Sequence, residues 1–233
     1  MTQTLSLKSV WTNLVLAPFW FLPIIICFGF YFGSSGMESG EISLAISKKI
    51  SLILLLAQVC TGGFLFYSLK RNGLSFFTIG WDGRLNKDLY WGILFGVSLA
   101  AIYIHLVSPI HIYLQTTLGD YIPPGETINE FGEGIFPFFL ANVIFAPFVE
   151  ESLYRNFALR TFGTAYSPKM SVLLSSVLFG MFHWLGGFWY ILITMIVIGI
   201  PFAYIAGKRG NLFFVFIAHL TLNSCEFLYV LFR

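Results

Sequence analysis

The chain is poor in charged residues, which make up only 10% of its 233 positions. A soluble domain is about one quarter charged and less than half apolar. Here hydrophobic residues reach 57% and the mean hydropathy is +0.81. So little polar surface cannot cover a water-exposed globule. The scarcity of charge therefore excludes a soluble protein and indicates that lipid surrounds most of the chain.

Cysteine is also rare, and a strong charge of either sign is missing. Cys27, Cys60 and Cys225 lie in apolar stretches, and their spacing fits neither a metal motif nor a disulfide framework. We interpret them as packing residues. The net charge of +2 and the lack of basic runs interleaved with aromatic residues exclude nucleic acid as a partner.

Long apolar runs are what the sequence has instead. About 20 mostly apolar residues cross a bilayer as a helix, and continuous runs favour helices over the alternating strands of a barrel. We therefore predict an all-α polytopic bundle of about seven spans, forming a single membrane domain over residues 1–233. The predicted spans are 10–32, 48–69, 89–111, 134–158, 170–187, 188–207 and 211–232. Only Gly186 and Gly187 separate the fifth span from the sixth, so that six to eight spans are compatible with the sequence.

Basic residues gather on one side of these spans. With the N-terminus in the cytoplasm, the cytoplasmic side holds ten of the 13 Lys and Arg residues, as the positive-inside rule requires. The ten are Lys8, Lys70, Arg71, Arg84, Lys87, Arg155, Arg160, Lys169, Lys208 and Arg209. We therefore predict a cytoplasmic N-terminus, and the small size favours a prokaryotic cytoplasmic (inner) membrane.

The fourth predicted span carries charges that a bilayer penalises by about 2.5–3.5 kcal/mol each. The adjacent residues Glu150 and Glu151 point about 100° apart on a helix. Their carboxylates therefore cannot serve the same function. Glu151 and Arg155 are four residues apart and share a face, which predicts an ion pair. Glu150 has no partner on its own helix, as suits a general base. An equally simple interpretation is that both carboxylates only fasten helices together.

Two further spans bring polar side chains to a similar depth. His183 lies in the fifth span, and His219 and Asn223 share one face of the seventh. At about 1.5 Å per residue, these residues and Glu150 lie roughly 12–22 Å from the cytoplasmic helix ends. We therefore expect them to meet near the bilayer midplane, which makes residues 134–233 the predicted catalytic core.

These four groups provide the parts of a hydrolytic site. A carboxylate and an imidazole can hold and deprotonate a water molecule. A second imidazole and an amide can donate hydrogen bonds to the oxyanion formed at a peptide carbonyl. The same groups could instead bind a divalent metal such as zinc, since histidine nitrogens and a carboxylate are a recurrent ligand set.

The ordered motifs resemble those of a known family. Glu150-Glu151-x-x-x-Arg155, Phe179-x-x-x-His183 and His219-x-x-x-Asn223 are similar to the three motifs of the CAAX protease and bacteriocin-processing family, also called CPBP or Abi. The resemblance covers Phe148 to Arg233, and the N-terminal half is similar only as generic membrane helices. Tyr154-Arg155-Asn156 departs from the Phe-Arg-Gly of many members, while the charged positions are intact.

The resemblance implies an intramembrane endopeptidase similar to the type II CAAX proteases that process prenylated proteins. It implies that Glu150 and His183 activate the attacking water, that His219 and Asn223 stabilise the oxyanion, and that Glu151 and Arg155 support the site. The implied substrate is a membrane-anchored peptide or protein, and bacterial members are tied to bacteriocin maturation or immunity. Members are commonly labelled metalloproteases, whereas the prenyl-protein-processing relatives are described as glutamate-dependent. We favour the glutamate mechanism because the sequence has no His-Glu-x-x-His motif.

Two other functions fit the same residues. A non-enzymatic membrane regulator or immunity protein would use the polar cluster to bind a partner. A transporter would use intramembrane Glu and His as a proton relay, although the chain shows no duplicated halves. Variants of Glu150 or His183 that fold but lose peptide cleavage would separate the peptidase from both alternatives.

Overall fold

The computed structural model describes residues 6–76, 80–81, 85–119 and 134–232. Regular structure in these ranges is helical, which confirms the predicted all-α bundle. The helices are α1 (Leu7–Ser34), α2 (Ser39–Lys48), α3 (Ile50–Arg71), α4 (Lys87–Leu118), α5 (Ile135–Ala165), α6 (Pro168–Phe182), α7 (Phe188–Arg209) and α8 (Phe213–Leu231). The short helix α2 occupies a connection between the first two predicted spans and was not expected.

Six of the described helices are long and apolar enough to cross a bilayer, and α6 is a shorter apolar helix. The bundle is apolar on its outside, where Phe30 is 76% exposed and Phe136 66% exposed. Its interior also holds charged side chains, of which Glu151 is fully buried. This arrangement is expected of a chain whose solvent is lipid. It agrees with a polytopic membrane protein of about seven spans, and the cytoplasmic location of the N-terminus stays a prediction.

The fifth predicted span, 170–187, is too long. Helix α6 has 15 residues and ends at Phe182, with His183 as its C-cap residue. A 3₁₀ turn over Trp184–Gly186 follows, and Gly187 then adopts a φ of +88°, which residues with a Cβ rarely reach. The chain therefore turns back toward α7 directly after His183. The imidazole lies at a helix end and not in the middle of a span.

Three spans contain π-helical segments that end two residues before a proline. The segments are Tyr103–Val107, Phe139–Phe145 and Met195–Gly199, followed by Pro109, Pro147 and Pro201. A proline ring lacks an N–H and clashes with the preceding turn of a normal helix. The wider π turn makes room for the ring, but the carbonyl five residues before the proline loses its donor. In α5 that carbonyl belongs to Asn142, because Ala146 donates to Ala141 and Pro147 has no N–H to donate.

Glycines bring two pairs of helices into close contact beside the polar residues. A Cβ at Gly96 of α4 would lie 2.5 Å from the carbonyl oxygen of Ala218 in α8. A Cβ at Gly180 of α6 would lie 2.7 Å from the carbonyl oxygen of Ile191 in α7. Small residues permit such close crossings in membranes. The α4–α8 crossing fixes the height and rotation of His219, which follows Ala218 in the chain.

Candidate active site

Glu150 and His183 face each other where α5 packs against α6. Glu150 is 3% exposed and ends the α-helical turn Ala146–Glu150, after which α5 becomes π-helical. Its Oε2 atom lies 3.8 Å from Nε2 of His183. This distance is too long for a direct hydrogen bond, and it is short enough for one water molecule to bridge the two atoms.

The other ring nitrogen of His183 determines its tautomer. Nδ1 lies 2.8 Å from the carbonyl oxygen of Phe179, and beside a pure acceptor this nitrogen must carry the proton. In the neutral ring, Nε2 then presents a lone pair toward Glu150. Two acceptors that face each other require a donor between them, and a water molecule supplies two O–H groups. The carboxylate and the imidazole are therefore arranged to bind water.

A third helix positions the Glu150 carboxylate. Gln58, in the middle of α3, donates from Nε2 to Oε1 of Glu150 at 3.2 Å. Helix α3 comes close because Gly62 packs against Val149, with 3.1 Å between a Cβ built at Gly62 and Cγ2 of Val149. Among the described residues, Oε2 of Glu150 has no hydrogen-bond partner. Sequence reasoning missed Gln58, whose only signal was a lone amide in the apolar run 48–69.

Glu151 belongs to a separate, fully buried network. Its Oε2 atom lies 3.4 Å from Nε of Arg155, with both side chains fully buried, so that the predicted ion pair is present. Its Oε1 atom lies 2.8 Å from Nδ1 of His219, a contact that the sequence did not predict. A charge buried to this extent requires such pairing. The network joins α5 to α8.

The aromatic residue of the second motif, Phe179, lies between the two groups. Its ring centroid is 3.7 Å from the guanidinium carbon of Arg155, a favourable cation–π contact. The same ring centroid lies 4.8 Å from that of His183 and 6.2 Å from that of His219. Because its carbonyl also accepts from His183, this residue fixes one imidazole and packs against the other.

The backbone of α5 anchors Asn223. Its Nδ2 donates to the carbonyl oxygen of Asn142 at 2.7 Å, the carbonyl that Pro147 leaves without a helical donor. This bond uses one of the two N–H groups of the amide, and the second is available for another acceptor. This contact was not predicted from the sequence, because it depends on the π-helical register of α5.

The predicted site residues come together from three helices, but their contacts divide them into two groups. Glu150 is placed with His183, whereas Glu151 is placed with Arg155 and His219. This division limits the further hydrogen bonds that each imidazole can make. Since Nδ1 of His219 donates to a carboxylate, only Nε2 of that ring is left for another partner.

Metal coordination does not fit the described side chains. Within the described ranges, no three His, Cys, Asp or Glu side chains are grouped so that they could hold an ion. Glu150 and His183 would provide two ligands, and zinc sites in enzymes use three from the protein. The Nδ1 atom of His219 is occupied by Glu151.

An all-α bundle that buries carboxylate–imidazole pairs between apolar helices defines a polytopic membrane protein with an intramembrane polar site. Residues 132–225 match the family described as type II CAAX prenyl endopeptidase Rce1-like. The matched range includes all six predicted site residues and confirms the resemblance predicted from their motifs. It supports an intramembrane protease of the CAAX type in general. No curated protein and no solved structure matches the chain.

Proposed function

We propose that the protein is an endopeptidase of a prokaryotic cytoplasmic membrane, and that it hydrolyses a peptide bond of a membrane-anchored peptide or protein. The observation that carries the proposal is the Glu150–His183 pair, whose facing acceptor atoms lie 3.8 Å apart. A water molecule that donates one hydrogen to each atom is held with an oxygen lone pair free for attack. This is the arrangement that general-base catalysis requires.

The proposed hydrolysis transfers two protons from the water. Glu150 accepts the first as the water oxygen bonds to the peptide carbonyl carbon, and the carbonyl oxygen becomes an oxyanion. When the C–N bond breaks, Glu150 returns this proton to the leaving nitrogen. His183 accepts the second proton and passes it to the released amine. The products are a carboxylate and an ammonium group, and both side chains regain their starting states.

Stabilisation of the oxyanion falls to Asn223 and His219 in this proposal. The second N–H of Asn223 is one donor. Nε2 of His219 donates only when the ring is protonated, because Nδ1 already donates to Glu151. Glu151, Arg155 and a protonated His219 together carry one net positive charge, which suits a singly charged oxyanion. In this way Glu151 and Arg155 support the site without touching the substrate.

The test is cleavage of a reporter peptide, tethered to the bilayer by one transmembrane helix, by the purified protein in lipid vesicles. Hydrolysis in oxygen-labelled water places one labelled oxygen in the new carboxylate, which mass spectrometry detects. Glu150→Gln and His183→Ala should fold and should cleave the peptide about 10²–10⁴-fold more slowly than the parent. Glu226→Gln, a matched change at a carboxylate of α8 that is not among the predicted site residues, should retain most of the activity. Undiminished cleavage by both site variants would contradict the proposal.

A second candidate function is a non-enzymatic membrane regulator that binds a partner protein. The observation that favours it is the Glu151 network, in which Arg155 and His219 tie α5 to α8 with almost no exposed atom. Such a network can serve helix packing alone. In that case the parent protein would bind its partner and cleave no peptide, and Glu150→Gln would leave the binding unchanged.

A further inference from the structure

A cavity of about 730 Å³ lies beside the candidate active site, between the ends of α5 and α7 and the starts of α6 and α8. It is lined by four cationic side chains, which are Arg155, Arg160, Lys169 and Lys208. Among the described lining residues there is no carboxylate. Positive charges gathered around one space repel each other, so that an anion in the cavity is favoured.

Of these four cations, only Arg155 has a carboxylate partner among the described residues. Arg155 is paired with Glu151 through Nε. Arg160 donates to the carbonyl oxygen of Gly210 at 2.6 Å, which uses one N–H but neutralises no charge. The Nζ atom of Lys208 lies 5.8 Å from the ring centroid of Tyr204, also without an anion.

Buried polar atoms of the lining also lack partners. Arg155 is 2% exposed and Asn156 is 1% exposed. Among the described residues, Nη1 and Nη2 of Arg155 and both polar side-chain atoms of Asn156 have no hydrogen-bond partner. Buried polar groups are rarely left unpaired, because each costs about 1–3 kcal/mol. Donors of this kind, next to lysines, match the oxygens of a phosphate group.

The remaining wall of the cavity is apolar and reaches the lipid-facing surface. Leu159, Val172 and Leu212 line it, together with Tyr204, which is 57% exposed. A cavity with cations on one wall and apolar side chains on another is suited to an amphiphilic molecule, which has a charged head group and an apolar chain. The four cations also lie on the predicted cytoplasmic side, where anionic lipids attract basic residues.

We propose that this cavity binds a phosphate group, carried by an anionic phospholipid of the surrounding leaflet. The phosphate oxygens accept from Arg155 and Asn156 and pair with Lys169 and Lys208, while an acyl chain lies along the apolar wall. Free inorganic phosphate has the same head-group chemistry and is the alternative source. Binding requires no catalysis, so that this site can be tested whether or not the protein cleaves peptides.

The experiment measures lipid binding to the purified protein in a neutral detergent by native mass spectrometry. Short-chain phosphatidylglycerol is titrated beside phosphatidylcholine and diacylglycerol of equal chain length, and inorganic phosphate is added as a competitor. The cavity variant is Lys169→Gln/Lys208→Gln, at two exposed residues. The matched control is Lys8→Gln/Lys70→Gln, which removes the same charge on the same predicted side, outside the described lining.

The expected result is one bound phosphatidylglycerol per chain, bound about tenfold more weakly by the cavity variant and unchanged in the control. Displacement by millimolar phosphate, with the same dependence on the two lysines, would support the cavity and assign it to free phosphate. Phosphatidylglycerol bound no more tightly than phosphatidylcholine would overturn the proposal. Equal weakening in the cavity variant and the control would overturn it as well.

Discussion

Glu150 and Glu151 are neighbours in the chain, yet the fold gives them opposite surroundings. Glu151 is fully buried and both of its oxygens are engaged, one by Arg155 and one by His219. Glu150 has one oxygen held by Gln58, while the other faces His183 without a direct hydrogen bond. The first arrangement ties the carboxylate to two neighbouring side chains. The second leaves one carboxylate oxygen without a hydrogen-bond partner among the described residues.

Under the proposed function, this contrast assigns support to one carboxylate and reactivity to its neighbour. Adjacent positions on a helix point about 100° apart, so that one carboxylate turns toward α8 and the other toward α3 and α6. A pair of titratable groups placed in such different environments is a recurrent sign of divided roles. The contrast suggests that removing the Glu150 carboxylate impairs rate, whereas removing a partner of Glu151 impairs folding.

The largest effect is expected from Glu150→Gln. The amide keeps the shape and the neighbours of the carboxylate but cannot accept a proton. We expect a loss of about 10²–10⁴-fold in the rate of peptide cleavage, with little change in the thermal unfolding midpoint. Rates in vesicles and thermal unfolding of the same samples provide the comparison. If Glu150→Gln also lowers the thermal unfolding midpoint strongly, its loss of activity reflects unfolding. The distinction between the two carboxylates would then be lost.

Arg155→Leu, in contrast, should mainly lower the free energy of unfolding. It leaves Glu151 buried with only His219 as a partner, and breaking a buried ion pair costs about 3–5 kcal/mol. Titration with a denaturing detergent measures the free energy of unfolding. Arg71→Leu, at the exposed C-terminal end of α3, is the matched control and should change it by less than about 0.5 kcal/mol. Equal stabilities of the two variants would contradict a structural role for the Glu151 network.

Asn223→Ala removes one proposed oxyanion donor. We expect a fall of about 10²–10³-fold in the cleavage rate, the usual effect of deleting such a donor. Asn13→Ala is the control, because this buried amide also joins two helices, donating to Ser68 at 2.9 Å. It should reduce stability and leave the rate per folded molecule unchanged. A similar rate loss in both variants would show that the amide only supports folding.

The smallest effect should come from Gln58→Leu. The Glu150 carboxylate loses its hydrogen bond from α3 and can rotate away from His183, which we expect to lower kcat about tenfold. KM for the tethered peptide should change by less than twofold, since Gln58 does not contact the substrate in this proposal. A change in KM with kcat unaffected would instead assign Gln58 to substrate binding.

Much of this architecture was predictable from the sequence. Apolar run length located the membrane helices but not all of their ends, because a bilayer requires about 20 apolar residues and hydropathy does not mark where a helix stops. The Glu151–Arg155 contact followed from a spacing of four residues. Depth along the helices predicted that Glu150 and His183 meet, and the family resemblance implied that they act together. The end of α6 at Phe182 was not predicted.

The missed contacts all depend on how helices rotate against each other. The approach of His219 to Glu151 depends on the α4–α8 crossing at Gly96, and hydropathy does not encode that rotation. The bond from Asn223 to Asn142 depends on a π turn before Pro147, which has a different period from the α-helix. The role of Gln58 was hidden because one amide in an apolar run has no partner visible along the chain.

The central claim, that Glu150 and His183 act as one unit on a single water molecule, is tested most directly by a double-mutant cycle. Cleavage rates are compared for the parent, Glu150→Gln, His183→Ala and the double variant, each corrected for the folded fraction. Residues that act as a unit give strongly non-additive losses, so that the double variant should be about as slow as either single variant. Losses that multiply, or a single variant that cleaves at the parent rate, would contradict the claim.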